Sequence, residues 1–355
     1  MIPYPEENLL LGLLGGAPPI VVQPDQADAK HFVELCRRHG VAAAARKAID
    51  ASGMPWPPGV RESLTRLARK TLVDNMVLLQ ALHEAADALS EAGVEFVLLK
   101  GVSLVGFLYP EIDQRQMSDM DLLIREEAWP TVEEVLRRRG YRLPTPESEA
   151  ALGADWYNHL LESPGNPPCS LEIHWNLESI ERSRIDAAEL FRDAVPCAIE
   201  GRSYRRLCDD HLFLHLAIHL AHHHESPSLY WVEDLRRLLG RGSLDWDRIA
   251  RTARDWGVRN AVAYSLGYVE RLYPDAVDSP ARQFQLAGPR RLILRALQTR
   301  NPILPHRDLA GSPLRHAVSM ALLDRWSRAA GYVARHAADR AARAFGRRPG
   351  SARPA

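Results

Sequence analysis

Apolar residues recur at helical spacing through the first quarter of the chain. Between Ala27 and Gly93 two such stretches, AKHFVELCRRHGVAAAARKAID and RESLTRLARKTLVDNMVLLQALHEAADALSEAG, flank the Pro/Gly break GMPWPPG. In the second, Leu64, Leu67, Leu72, Met76, Leu79, Leu82 and Ala86 predict one buried helical face, stopped by Gly93. The period then changes. Val94 to Leu99, a short apolar run after a turn signal, predicts a buried strand, and Val102 to Tyr109 predicts a helix opened by Gly101 and closed by Pro110. Met117 to Ile124 predicts a second strand with Asp119, Asp121 and Leu123 on one face and Ser118, Met120, Leu122 and Ile124 on the other. Glu126 to Arg139 predicts an amphipathic helix ending at Gly140.

From Arg142 to Pro168 periodicity fades, except for WYNHLLES, which reads as an edge strand. After the PGNPP turn, CSLEIHWNLE alternates, with Leu171, Ile173 and Trp175 on one face and Glu172, His174 and Asn176 on the other. VPCAIEGRSYRRLC predicts a hairpin turning at Glu200 and Gly201. From Asp209 the pattern is helical again, through DDHLFLHLAIHLAHHHE, LYWVEDLRRLLGRG, DWDRIARTARDWG and NAVAYSLGYVERLY. The tail AADRAARAFGRRPGSARPA is basic and Pro/Gly-rich and is expected to fray.

With 355 residues, 46% hydrophobic and 25% charged, the chain can bury a sizeable core, and two or three domains of a soluble globular protein are expected. Lys+Arg and Asp+Glu both total 45, so whole-molecule attraction to nucleic acid or an anionic membrane gets no support. Cys36, Cys169, Cys197 and Cys208 form no metal-ligand spacing and read as reduced packing residues of a cytoplasmic protein. The run NLLLGLLGG follows Glu6 and Glu7 and is too short to span a bilayer, so neither a signal peptide nor a transmembrane helix is expected. Lysine occurs only at positions 30, 47, 70 and 100, which makes Lys100, at the end of a predicted strand, conspicuous. The arginine runs 137–139, 205–206 and 236–237 read as exposed surface, and Trp231, Trp246 and Trp256 as core.

The candidate chemistry begins with Asp119 and Asp121. Residues two apart in a strand point to the same side with Cα atoms roughly 6.6–7 Å apart. Two carboxylates about 5 Å apart repel by roughly 3 kcal/mol at an effective dielectric near 20, a cost that a cation relieves. Hard oxygen ligands point to Mg²⁺ or Mn²⁺, and phosphoryl transfer uses such ions. A DxD pair alone is weak evidence. The preceding Lys100-Gly101 step, Arg115 four residues before Asp119, and the later strand offering Glu172 strengthen it.

These residues carry a resemblance. Leu99-Lys100-Gly101, Tyr109, Arg115, Ser118 to Leu123, Gly140-Tyr141, Glu172 to Trp175 and the segment from His211 to His224 together resemble the uncharacterised bacterial nucleotidyltransferases of the DNA polymerase β superfamily, over roughly 71–239. The resemblance implies an α+β fold: a small mixed polymerase β-like sheet flanked by helices. Expected bounds are an N-terminal helical region 1–92, a core 93–207, a C-terminal helical domain 208–340 and a flexible tail 341–355. It implies transfer of a nucleoside monophosphate from an NTP such as ATP to an acceptor, with release of pyrophosphate. Asp119, Asp121 and Glu172 would bind Mg²⁺ or Mn²⁺ as the catalytic acids. Lys100, Gly101, Ser103, Arg115, Ser118 and His174 would serve phosphates or acceptor. The sequence departs from the wider superfamily in having Lys-Gly where Gly-Ser is common and Glu as the third acid.

On one predicted helix His211, His215, His219, His222 and His223 fall within an arc of about 120° at ~100° per residue. A zinc centre would follow, but HLAIH has Leu216 where HExxH carries its glutamate, so a polar helix face packed near the sheet is preferred. His215, His219 and His222, with Asp234, remain candidates to face the cleft. The alternatives to a transferase are a non-catalytic nucleotide-binding protein on the same fold and a His-dependent metallohydrolase. A small molecule or peptide is favoured as acceptor over a long nucleic acid, and no membrane partner is expected.

Overall fold

The computed structural model describes residues 5–16, 22–143, 157–179, 182–222, 228–277, 279–284, 294 and 313–324. The predicted tail, His223, His224 and Trp156 of the edge-strand motif lie outside the described residues. Helices α1 (Pro5–Leu13), α2 (Ala29–Arg38), α3 (Ala42–Ser52) and α4 (Val60–Glu91) precede the sheet. Asp28 caps α2 by accepting hydrogen bonds from the backbone N–H groups of Lys30 and His31. The first helical stretch is split in two because Gly40 turns the chain at φ 63°, a conformation that favours glycine.

In α4 the expected single face is corrected. Leu64, Leu79, Leu82 and Ala86 are buried, but Met76 is 53% exposed. The helix packs its first turns on the core shared with α2 and α3 and its last turns on the sheet. Its buried stripe therefore shifts midway, and Asn75 turns inward in place of Met76.

Six strands form one mixed sheet, β1 (Phe96–Leu99), β2 (Asp119–Ile124), β3 (Asn158–Glu162), β4 (Ser170–His174), β5 (Val195–Ile199) and β6 (Arg202–Arg206), in the order β3-β4-β2-β1-β6-β5. β1 is antiparallel to β2 and parallel to β6, and β2 is parallel to β4. β3, the predicted edge strand, is indeed at the edge. The β5–β6 hairpin turns where predicted, with Glu200 and Gly201 both at positive φ (49° and 78°), as a two-residue hairpin turn requires. The helix after β1 is shorter than predicted and starts earlier. This α5 spans Lys100–Leu104, because the chain is extended at Val105 and turns at Gly106, φ 74°. After β2, a 3-10 turn at Glu126–Ala128 leads into α6 (Trp129–Arg138).

Among the described residues the remaining α-helices are α7 (Ala187–Arg192), α8 (Asp209–His222), α9 (Leu229–Leu239), α10 (Trp246–Trp256), α11 (Arg259–Leu272) and α12 (Pro313–Leu322). One sheet face, with Leu98, Met120, Leu122, Ile124, Leu171 and Ile173, packs on α4 and α6. The opposite face sends Val97, Leu99 and Leu123 into a second core shared with α1–α3 and α8–α11. Each fully buried leucine contributes about 1.5–3 kcal/mol. Asp121 and His174, 1% and 2% exposed on that same second face, forgo this and need another reason to be there. The arginine runs are only partly surface: Arg206 is buried, its guanidinium 3.6 Å from the centroid of the Phe107 ring. No helix among the described residues is long and apolar enough to cross a membrane.

Candidate active site

Strand register brings the acids together. The β1–β2 pairing sets Leu99 opposite Asp121, and the β2–β4 pairing sets Asp121 beside Glu172 and Leu123 beside His174. Residues separated by some fifty positions in sequence thus become neighbours across one strand spacing, about 4.8 Å. Lys100, one residue past the end of β1, adopts a left-handed φ of 37°, unusual for a residue with a long side chain. Its Nζ donates to Asp121 Oδ1 at 2.7 Å and lies 3.8 Å from Glu172 Oε2. His174 Nε2 is 2.8 Å from the same Asp121 oxygen and 3.2 Å from Glu172 Oε2. Asn158 Nδ2, from edge strand β3, donates to that Glu172 oxygen at 3.1 Å.

The charges at this corner are strongly coupled. Burial opposes ionisation of both Lys100 and Asp121, yet their mutual attraction wins, raising the lysine above its ordinary range and lowering the aspartate below it. Burial also opposes protonation of His174, but its hydrogen bonds to Asp121 and Glu172 raise it overall. Asp119 behaves differently: burial, then the charge of Asp121, push its carboxyl up to about 6. Ser118 Oγ donates to Asp119 Oδ1 at 3.1 Å. Asp121, Glu172 and His174 each offer a ligand atom, all within 4.8 Å of one another. Asp121 Oδ2 is buried and has no hydrogen-bond partner among the described residues. Two carboxylates, one of them with an unsatisfied buried oxygen, and an imidazole suit a divalent cation. The residues therefore fit a metal, with His174 beside Asp121 and Glu172 in the place that the sequence reading gave to Asp119.

Arg115 is engaged elsewhere. Its guanidinium is buried and donates to both carboxylate oxygens of Asp234, from Nε at 2.9 and 3.1 Å and from Nη2 at 2.8 Å. Tyr109 Oη donates to Asp234 Oδ1 at 2.7 Å. Asn75 of α4 donates to the carbonyls of Ile112 and Arg115 and accepts from the N–H of Met117. Asn75, Arg115, Tyr109 and Asp234 together clamp the segment that delivers β2. Gly101 is part of the clamp: a Cβ there would lie 2.6 Å from Arg115 Nη1. Because Asp234 holds that guanidinium in place, Gly101→Ala is expected to cost about 1–3 kcal/mol in denaturant unfolding. Ser103 Oγ donates back to the carbonyl of Lys100 at 2.8 Å, securing the turn that aims the lysine.

The histidines of α8 disperse. His215 is buried close enough to the site for Lys100 to act on it electrostatically, and burial, then that charge, push it down to about 3, so it is neutral. His222 Nδ1 contacts Glu178 Oε2. Burial opposes ionisation of Glu178, but His222 and Arg182 hold it down to about 2. His219 packs edge-on against Trp231, ring centroids 4.8 Å apart. His211 turns toward α7 and Trp256. His211 and His215 are buried. Sequence reading missed Asn158, Asn75 and Glu178. A polar residue inside an otherwise apolar helical stripe was a usable signal for Asn75 alone.

A mixed sheet flanked by helices, with acids clustered on neighbouring central strands, suits a nucleotidyltransferase. The family model described as uncharacterised nucleotidyltransferase matches residues 25–274, from before α2 through α11, and the chain belongs to that family. No curated protein matches the chain.

Proposed function

We propose that the protein is a metal-dependent nucleotidyltransferase that moves a nucleoside monophosphate from an NTP to a small-molecule or peptide acceptor and releases pyrophosphate. The observation carrying this reading is the meeting of Asp121, Glu172, His174 and Lys100 at one sheet end in a member of this family. Asp121, Glu172 and His174 would hold the cation, Mg²⁺ or Mn²⁺ best matching the carboxylates and Mn²⁺ also tolerating the imidazole. When bound, it would offset charge on the phosphates and the leaving group. In the transfer an acceptor oxygen bonds to the α-phosphorus as the bond to the bridging oxygen breaks, and the electron pair leaves with pyrophosphate. The acceptor's proton goes to a carboxylate. Asp119, a carboxylate two residues before Asp121 on β2, is suited to take it. Lys100, with donor capacity left on its ammonium, adds positive charge for the triphosphate.

One observation favours a second reading. The Lys100 ammonium already compensates Asp121 and Glu172, as it would in a protein that binds nucleotide without turning it over. Calorimetry with a non-hydrolysable NTP analogue separates the two. The transferase reading expects Mn²⁺ to strengthen binding at least about 10-fold, and Glu172→Gln to remove that gain. Equal binding with and without metal supports the non-catalytic reading.

A further inference from the structure

A second cluster lies apart from the site described above. Glu189, on α7, Asp193, just past its end, and His211, in the first turn and a half of α8, each offer a ligand atom, all within 4.8 Å of one another. His211 has no exposed surface, and neither ring nitrogen has a hydrogen-bond partner among the described residues. Leaving a buried polar group unsatisfied costs about 1–3 kcal/mol per group, which points to a missing partner. The imidazole Nε2 lies 3.7 Å from Glu189 Oε1. A tetrahedral zinc with bonds of about 2.0–2.1 Å sets its ligands roughly 3.3 Å apart, so the His211–Glu189 pair is about 0.4 Å from closing and the other separations at most about 1.5 Å.

We propose that Glu189, Asp193 and His211 form a structural site for a divalent transition-metal ion, zinc being the best fit, that joins α7 to α8. A neutral nitrogen beside two carboxylates favours such an ion over Mg²⁺ or Ca²⁺. Asp193 Oδ1 accepts from Arg192 Nε at 3.0 Å and Oδ2 from Arg248 Nη2 at 2.5 Å. Coordination through one oxygen leaves the other on its arginine, the outer partner that a ligating carboxylate commonly keeps. Glu189 and Asp193 are 26% and 22% exposed in their side chains, which gives the ion a path in and leaves a fourth position to water.

The test is zinc binding to the full chain by equilibrium dialysis, comparing wild type with Glu189→Gln, His211→Gln and Glu172→Gln. Glu189→Gln and His211→Gln are expected to weaken one zinc equivalent by more than about 10–100-fold, and Glu172→Gln to retain that equivalent. Co²⁺ substitution in the Glu172→Gln background is expected to give a visible ligand-field band that Glu189→Gln removes, a reading that stands even if His211→Gln fails to fold. Zinc binding unchanged in Glu189→Gln, or lost entirely in Glu172→Gln, overturns the site.

Discussion

Asp121→Asn is expected to abolish nucleotide transfer, by roughly 10³-fold or more, and to destabilise the fold as well. The aspartate is 1% exposed in its side chain and receives Lys100 and His174 on one oxygen. Neutralising it leaves the largely buried Lys100 ammonium without its nearest counter-charge, a change that typically costs about 3–5 kcal/mol. The two effects separate in a double variant. Lys100→Met with Asp121→Asn removes the unpaired charge and is expected to recover most of the stability, measured by denaturant unfolding, with no recovery of transfer. If stability and activity returned together, Asp121 would be a packing residue only.

The second large effect is at Arg115 and Asp234. Both are buried, joined by a two-pronged hydrogen-bonded pair, and the Tyr109 hydroxyl completes the carboxylate's shell. Asp234→Asn is expected to cost about 3–5 kcal/mol, because a buried guanidinium loses its counter-ion. Arg115→Met/Asp234→Leu should recover much of that loss, since replacing both partners of a buried pair by apolar groups is often neutral or better. The functional consequence distinguishes a clamp from a phosphate ligand. A clamp variant lowers kcat by loosening the segment that carries β2, with the KM for the triphosphate nearly unchanged. A large rise in that KM in an Arg115 variant of wild-type stability would instead make Arg115 a substrate contact.

Much of this arrangement is legible in the sequence. The alternation in SDMDLLI and SLEIHW assigns Asp121, Glu172 and His174 to faces by period alone, and the register then turns them toward one another. The dipeptide Glu200-Gly201 marked its own hairpin. What was not legible depended on partners distant in sequence. Nothing local to Arg115 reveals that Asp234, more than a hundred residues later, holds its guanidinium away from the strand ends. Nothing in the helical period of α8 shows that His211, His215 and His222 meet three different neighbourhoods, since periodicity gives the face and not what packs on it. The length of α5 was overestimated for a related reason. Val102 to Tyr109 is apolar enough for a helix, but most of its residues are buried around a turn that Gly106 permits.

The most direct test of the proposed activity is turnover of α-labelled nucleoside triphosphates with Mg²⁺ or Mn²⁺ across a panel of small-molecule and peptide acceptors, following label transfer and pyrophosphate release together. The account predicts metal-dependent transfer by the wild-type chain that disappears in Asp121→Asn and in Glu172→Gln. Transfer that persists in both variants, or nucleotide binding with no metal-dependent transfer to any acceptor, would contradict it.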